Sequence, residues 1–195
     1  GDANMYSINR GDWKALWIYF YNKDTGKGLY LIPASRYYTM TKGQIINLPL
    51  EDTFSTASLV TGDIYQMLKD TDDGELTQKA LGGNAFSLLS ISNAWACGAP
   101  YDLMTVASLH NHLCPGVLGG YIPVRYVEEK LPAEESDSYT VVFTSASCKL
   151  DAYPMLWDMT PGKKNLAIVS EGFTEDSQAE FTEKYGTSPA GVFVR

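Results

Sequence analysis

Residues 14–21, Lys-Ala-Leu-Trp-Ile-Tyr-Phe-Tyr, and residues 28–33, Gly-Leu-Tyr-Leu-Ile-Pro, are both aromatic and β-branched. Between them stands Asn22-Lys23-Asp24-Thr25-Gly26-Lys27, a run of turn residues. Two such runs joined by turn chemistry read as a β-hairpin, and this commits the start of the chain to antiparallel sheet. Further along, the period changes. Leu59, Tyr65 and Leu68 predict a helix over 53–70, and Leu81, Phe86, Leu89 and Ser90 predict a second over 75–92. Gly82-Gly83 weakens or splits that second helix. Pro100-Tyr101-Asp102 opens a short helix ending near Leu109, with Pro early and an acid in the first turn.

Cys114-Pro115-Gly116 reads as the start of the next helix, running to about Lys130 with Cys114 near its N-cap. Gly116 and Gly120 fall on one face of it, where another backbone can approach closely, and Pro123 should bend it. Strands are predicted at 139–144, 166–170 and 191–194, and a short helix at 148–157. Helices and short strands thus mix without regular βαβ alternation. The fold class expected is α+β, with a mixed or antiparallel sheet and packed helices. Residues 1–31 also resemble 162–195 in their turn and apolar positions (Thr25 to Leu31 beside Ser188 to Val194), so the N-terminal segment 1–52 reads as a partial repeat of the tail of a 53–195 domain, a pseudo-dimer in one chain.

Composition narrows the function classes. At 45% hydrophobic and 12% aromatic the chain can build a real core. A net charge of −8, with no Lys/Arg run, argues against nucleic acid, whose binding needs a basic footprint. No apolar run approaches the ~20 residues of a membrane span. Cys97, Cys114 and Cys148 are odd in number and widely spaced, which suits free thiols or metal ligands better than a disulfide framework. The sequence starts at Gly1 without an initiator Met, so a processed leader or upstream domain is compatible with it and the compartment is open.

Both histidines of the chain fall in His110-Asn111-His112-Leu113-Cys114-Pro115-Gly116, which also holds one of the three cysteines. In extended backbone, residues two apart point to one side, so His110 and His112 can offer two imidazoles to one ion, with Cys114 following. Imidazole and thiolate are ligands for soft transition metals. If Cys114 sits at a helix N-terminus instead, the free N–H groups there favour its thiolate, which opens a nucleophilic role. Taken singly, each residue also fits a packed thiol or a turn histidine.

The run His110 to Tyr121 closely resembles the signature of the FmdE family, named for its association with formylmethanofuran dehydrogenase: a His-x-His-Leu-Cys-Pro-Gly stretch followed by a glycine-bearing helix. Cys148-Lys149-Leu150-Asp151-Ala152 resembles its second motif, and Thr160-Pro161-Gly162-Lys163-Lys164-Asn165-Leu166 its third. The resemblance implies an α+β core over 53–195 and a methanogenesis-related setting with a redox enzyme as partner. The leading expectation beside it is a metal-binding accessory protein, with His110, His112 and Cys148 as the first ligands and Cys114 as fourth ligand or adjacent thiolate. Zinc or another divalent transition metal suits that set. Asp151 would orient a histidine, and Lys163 and Asn165 are candidates for contacting a ligand. The family's third motif usually carries a further Cys, which this chain lacks, and no cysteine follows Cys148. The cysteine-rich zinc finger of some members is therefore missing here, as are the cysteine runs that hold iron–sulfur clusters. Cys97 has no counterpart in the motifs and reads as a buried structural thiol. Two other functions stay open: a thiol enzyme with Cys114 as nucleophile and a histidine as base, and a binding module or homodimer with a vestigial site.

Overall fold

The hairpin is present. Strand β1 (Ile18–Asn22) runs antiparallel to β2 (Lys27–Pro33), with Ile18 opposite Leu31 and Asn22 opposite Lys27. Asn22 Oδ1 accepts from the backbone N–H groups of Asp24 and Thr25, and Gly26 takes the left-handed conformation that closes the turn. The computed structural model describes residues 16–60, 79–169 and 174–195. They fall into two units, residues 16–60 with 79–100 and residues 101–169 with 174–195.

In the first unit the expected helix over 53–70 is corrected where it is described: Phe54–Val60 is a strand, β3, antiparallel to β2. Its exposure alternates residue by residue, and it gives the backbone groups of β2 a second partner strand. Residues 61–70, with Tyr65 and Leu68, lie outside the described residues. One face of this sheet carries the core: Tyr30 and Val60 pack with Leu81, Leu88 and Leu89. The two leucines at 88 and 89 come from helix Ala85–Ala96. Helical backbone at 79–81 stops at Gly82, whose φ of 58° ends the turn, and a 3-10 turn over Gly82–Asn84 leads into Ala85. The glycine pair therefore splits the helix, as its position predicts. A shorter helix, α1 (Lys42–Ile46), lies between β2 and β3 and is closed by a Thr41–Gln44 capping box. Helix Ala85–Ala96 is α2.

In the second unit, α3 (Tyr101–His110) and α4 (Pro115–Lys130) precede β4 (Thr140–Phe143). A 3-10 turn over Cys148–Asp151 runs into α5 (Ala152–Trp157). Then come β5 (Leu166–Ile168), α6 (Glu175–Tyr185) and β6 (Gly191–Val194). Strand β4 is central, parallel to β5 and antiparallel to β6, so the sheet is mixed and the fold is α+β. Met104, Val106, Val117, Val124, Val141 and Tyr153 are fully buried, and Tyr153 lies among the rings of Phe143, Trp157 and Phe193. Helix α4 continues through Pro123 to Lys130. Arg125 pairs with Asp102 of α3 and with Glu128, which accepts from the indole N–H of Trp157 in α5. These contacts tie three helices together around α4.

Two further features depart from the sequence reading. Helix α6 has no apolar stripe and no buried residue, so periodicity does not reveal it. Its ends explain it: Thr174 caps the N-terminus, Glu175 and Asp176 fill the first turn, and Gly186 is left-handed at the C-terminus. The second departure concerns the tail compared with the hairpin. Strands β5 and β6 flank β4, with α6 between them in sequence, so the tail does not repeat the strand–turn–strand path of 18–33. Residues 1–15 of that comparison lie outside the described residues. No helix among the described residues is long and apolar enough to cross a membrane.

Candidate metal centre

Helix α3 ends at His110 because Asn111 takes a left-handed conformation, φ 71°, which Asn tolerates better than most residues. The chain then turns to Cys114, which is extended (φ −139°, ψ 167°) and caps α4 ahead of Pro115. The helix start is where Cys-Pro-Gly predicts it. The histidines, however, do not converge through an extended strand: His110 is the last residue of a helix, and the kink at Asn111 brings His112 back beside it. Their ring centroids are 4.4 Å apart.

The donor atoms of His110, His112 and Cys114 all lie within 4.8 Å of one another, and all three residues are half-buried. Cys114 Sγ is 3.8 Å from His110 Nε2. The other ring nitrogen, Nδ1, is 2.7 Å from Asp151 Oδ2. A neutral imidazole bonded this way donates from Nδ1 to the carboxylate and turns the Nε2 lone pair toward Cys114. Burial, and secondarily the neighbouring His110, lowers the pKa of His112 from its ordinary 6.5, so its neutral form is favoured at neutral pH.

Cys148 and Asp151 arrive on the 3-10 turn, and two glycines of α4 make room for it. A β-carbon at Gly116 would stand 2.7 Å from Cys148 Cβ, 3.2 Å from Cys148 Sγ and 3.5 Å from Cys114 Sγ. One at Gly120 would stand 2.0 Å from the Lys149 carbonyl oxygen. The four-residue glycine spacing thus serves the close approach it suggests. Cys148 lies across the Gly116 gap from Cys114, and burial, with the neighbouring Cys114 adding to it, pushes the Cys148 thiol up. All three cysteines are free.

Other candidates are engaged elsewhere. Lys163 Nζ pairs with Asp158, and Asn165 Oδ1 accepts from the Thr160 backbone N–H, so both brace their own loop. Cys97 is exposed at the C-cap of α2, within 3.8 Å of Asn93 Oδ1, which corrects its reading as a buried thiol. A helix whose last turn faces outward leaves its cap residue in solvent.

Residues 109–186 match the family model described as "FmdE, Molybdenum formylmethanofuran dehydrogenase operon". This segment is FmdE-like. The FmdE-like span takes in all three sequence motifs and every residue of the cluster, from His110 through Asp151. No curated protein and no solved structure matches the chain.

Asp151 offers a direct check on the geometry. Asp151→Asn keeps the shape but loses the charge that holds His110 Nδ1–H, and for a metal centre at this cluster the expected effect is a ~10–100-fold loss of metal affinity. Competition against a chromogenic chelator measures this. Unchanged affinity would show that the carboxylate does not orient His110.

Proposed function

We propose that this chain is a metal-binding accessory protein that takes zinc or a similar divalent transition metal. His110, His112 and Cys114 supply the ligands, and Cys148 the fourth. The carrying observation is the mutual 4.8 Å limit on three soft donors. Ligands on a tetrahedral zinc stand roughly 3.3–3.8 Å apart for bonds of ~2.0–2.3 Å. The His110 Nε2–Cys114 Sγ separation of 3.8 Å already meets that span, and the three clustered donors all stand within 4.8 Å of one another. The FmdE likeness adds a redox enzyme as the partner of this reading. Elemental analysis of reduced protein prepared without a His tag tests it: about one equivalent of metal supports it, and none after zinc loading refutes it.

A proton and a metal compete for each ligand, so affinity must fall with pH. Because the His112 pKa is lowered, its imidazole stays neutral to below 6.5, and that ring releases metal only in more acidic solution. The thiol proton adds its own slope. Zinc affinity is expected to fall at least ~10-fold per pH unit below neutrality. A flat profile between pH 7 and 5, read by titration at each pH, would exclude histidine and thiolate ligands.

One observation favours a second reading. Cys114 Sγ, His110 and Asp151 stand in the order nucleophile, base and orienting carboxylate. The 3.8 Å gap is looser than the ~2.6–3.2 Å of a working pair. Iodoacetamide separates the readings. Zinc protection of Cys114 supports the metal centre, whereas fast alkylation that zinc leaves unchanged and His110→Ala slows supports a thiol enzyme.

A further inference from the structure

We propose that Cys114 and Cys148 form a redox couple, joined as a disulfide under oxidation, and that this bond takes Cys114 away from the metal centre. The couple stands on the placement of the two thiols. Its consequence for metal rests on the reading above. Cys148 is 34 residues beyond Cys114 in sequence, yet both sulfurs border the space left by the missing side chain of Gly116, at 3.2 and 3.5 Å from its would-be β-carbon. Each sits on a firmly placed element: Cys114 caps α4, and the turn carrying Cys148 lies against α4 at Gly116 and Gly120. Both sulfurs border one open space, and an S–S bond of ~2.0 Å asks that the two side chains turn toward each other across it. The third thiol, Cys97, belongs to the other unit and hydrogen-bonds Asn93.

The chemistry needs an oxidant of the low-molecular-weight disulfide class. One cysteine thiolate attacks a sulfur of that disulfide, which forms a mixed disulfide and expels one small thiolate. The second cysteine thiolate attacks the protein-side sulfur and expels the other. In sum, the two protein thiols lose two electrons and two protons, and the small disulfide becomes two thiols. The bonded sulfurs are no longer thiolates, so the centre keeps two imidazoles and loses its soft anionic ligands.

The test uses the full chain, stripped of metal, incubated with excess oxidised glutathione, alkylated with N-ethylmaleimide and mapped by mass spectrometry. The expected product carries the alkyl group or a glutathione on the exposed Cys97 and neither on Cys114 or Cys148, which form a linked peptide pair that dithiothreitol separates. In parallel, zinc affinity should drop by about 100-fold or more on oxidation and return on reduction. Cys148→Ser should instead stop at a glutathione adduct on Cys114. Alkylation of both Cys114 and Cys148, glutathione adducts on these two without a link, or a bond from either to Cys97 would overturn the couple while leaving zinc uptake by the reduced protein intact. A linked pair with unchanged zinc affinity would overturn the gating. A linked pair in a protein that takes no zinc even when reduced would leave the couple standing and refute the metal centre.

Discussion

His110→Ala combined with His112→Ala is expected to abolish stoichiometric zinc or nickel uptake. The substitutions remove two of the three clustered donors and strip Asp151 of its partner. The loss should exceed the ~10–100-fold that follows from disturbing a group outside the ligands. Neither histidine belongs to the buried core, so far-UV circular dichroism and the unfolding midpoint should change little. That separation matters, since a merely unfolded variant would also fail to bind. Metal uptake undiminished in the folded double variant would place the centre elsewhere.

Two neighbouring glycines of α4 should respond in opposite directions. At Gly120 an added methyl meets the Lys149 carbonyl oxygen at 2.0 Å and Ala152 Cβ at 2.9 Å. Those atoms belong to the backbone and the buried start of α5 and cannot swing aside. Gly120→Ala is therefore expected to cost about 3 kcal/mol, the upper part of the usual overpacking range. It should also weaken metal binding, because the turn it displaces carries Cys148 and Asp151. At Gly119 an added methyl meets nothing within 4 Å, and the residue is exposed within a helix. Gly119→Ala should stabilise by up to ~1 kcal/mol through helix propensity alone. Urea unfolding of both variants checks the pair. Equal effects would mean that the turn does not rest on α4.

The comparison of sequence with structure shows which physical signals are local. The hairpin, the split at Gly82 and the start of α4 were legible because Asn, Gly, Pro and a capping residue act on their own few bonds. Strand β3 was not legible. Leu59 fits a helical spacing as well as an alternating one, and the choice was made by β2, whose backbone needed a partner. Helix α6 was hidden because its caps, and no apolar face, define it. At the site, the pairing of His110 with His112 was anticipated through extended backbone, but a left-handed Asn111 produces it. The approach of Cys148 and Asp151 could not be read from spacing. It depends on β4, the 3-10 turn and two glycines acting at a distance along the chain, and only the resemblance of the second motif pointed to it.

X-ray absorption at the zinc edge, on reduced protein loaded with one equivalent of zinc, reads the ligand set itself. The expected spectrum has imidazole nitrogens at ~2.0–2.1 Å together with sulfur at ~2.3 Å. The sulfur contribution should shrink in Cys114→Ser, and the imidazole contribution should shrink in the single variant His112→Ala. A shell of oxygen alone, or one that these substitutions leave unchanged, would contradict a metal centre at His110, His112 and Cys114.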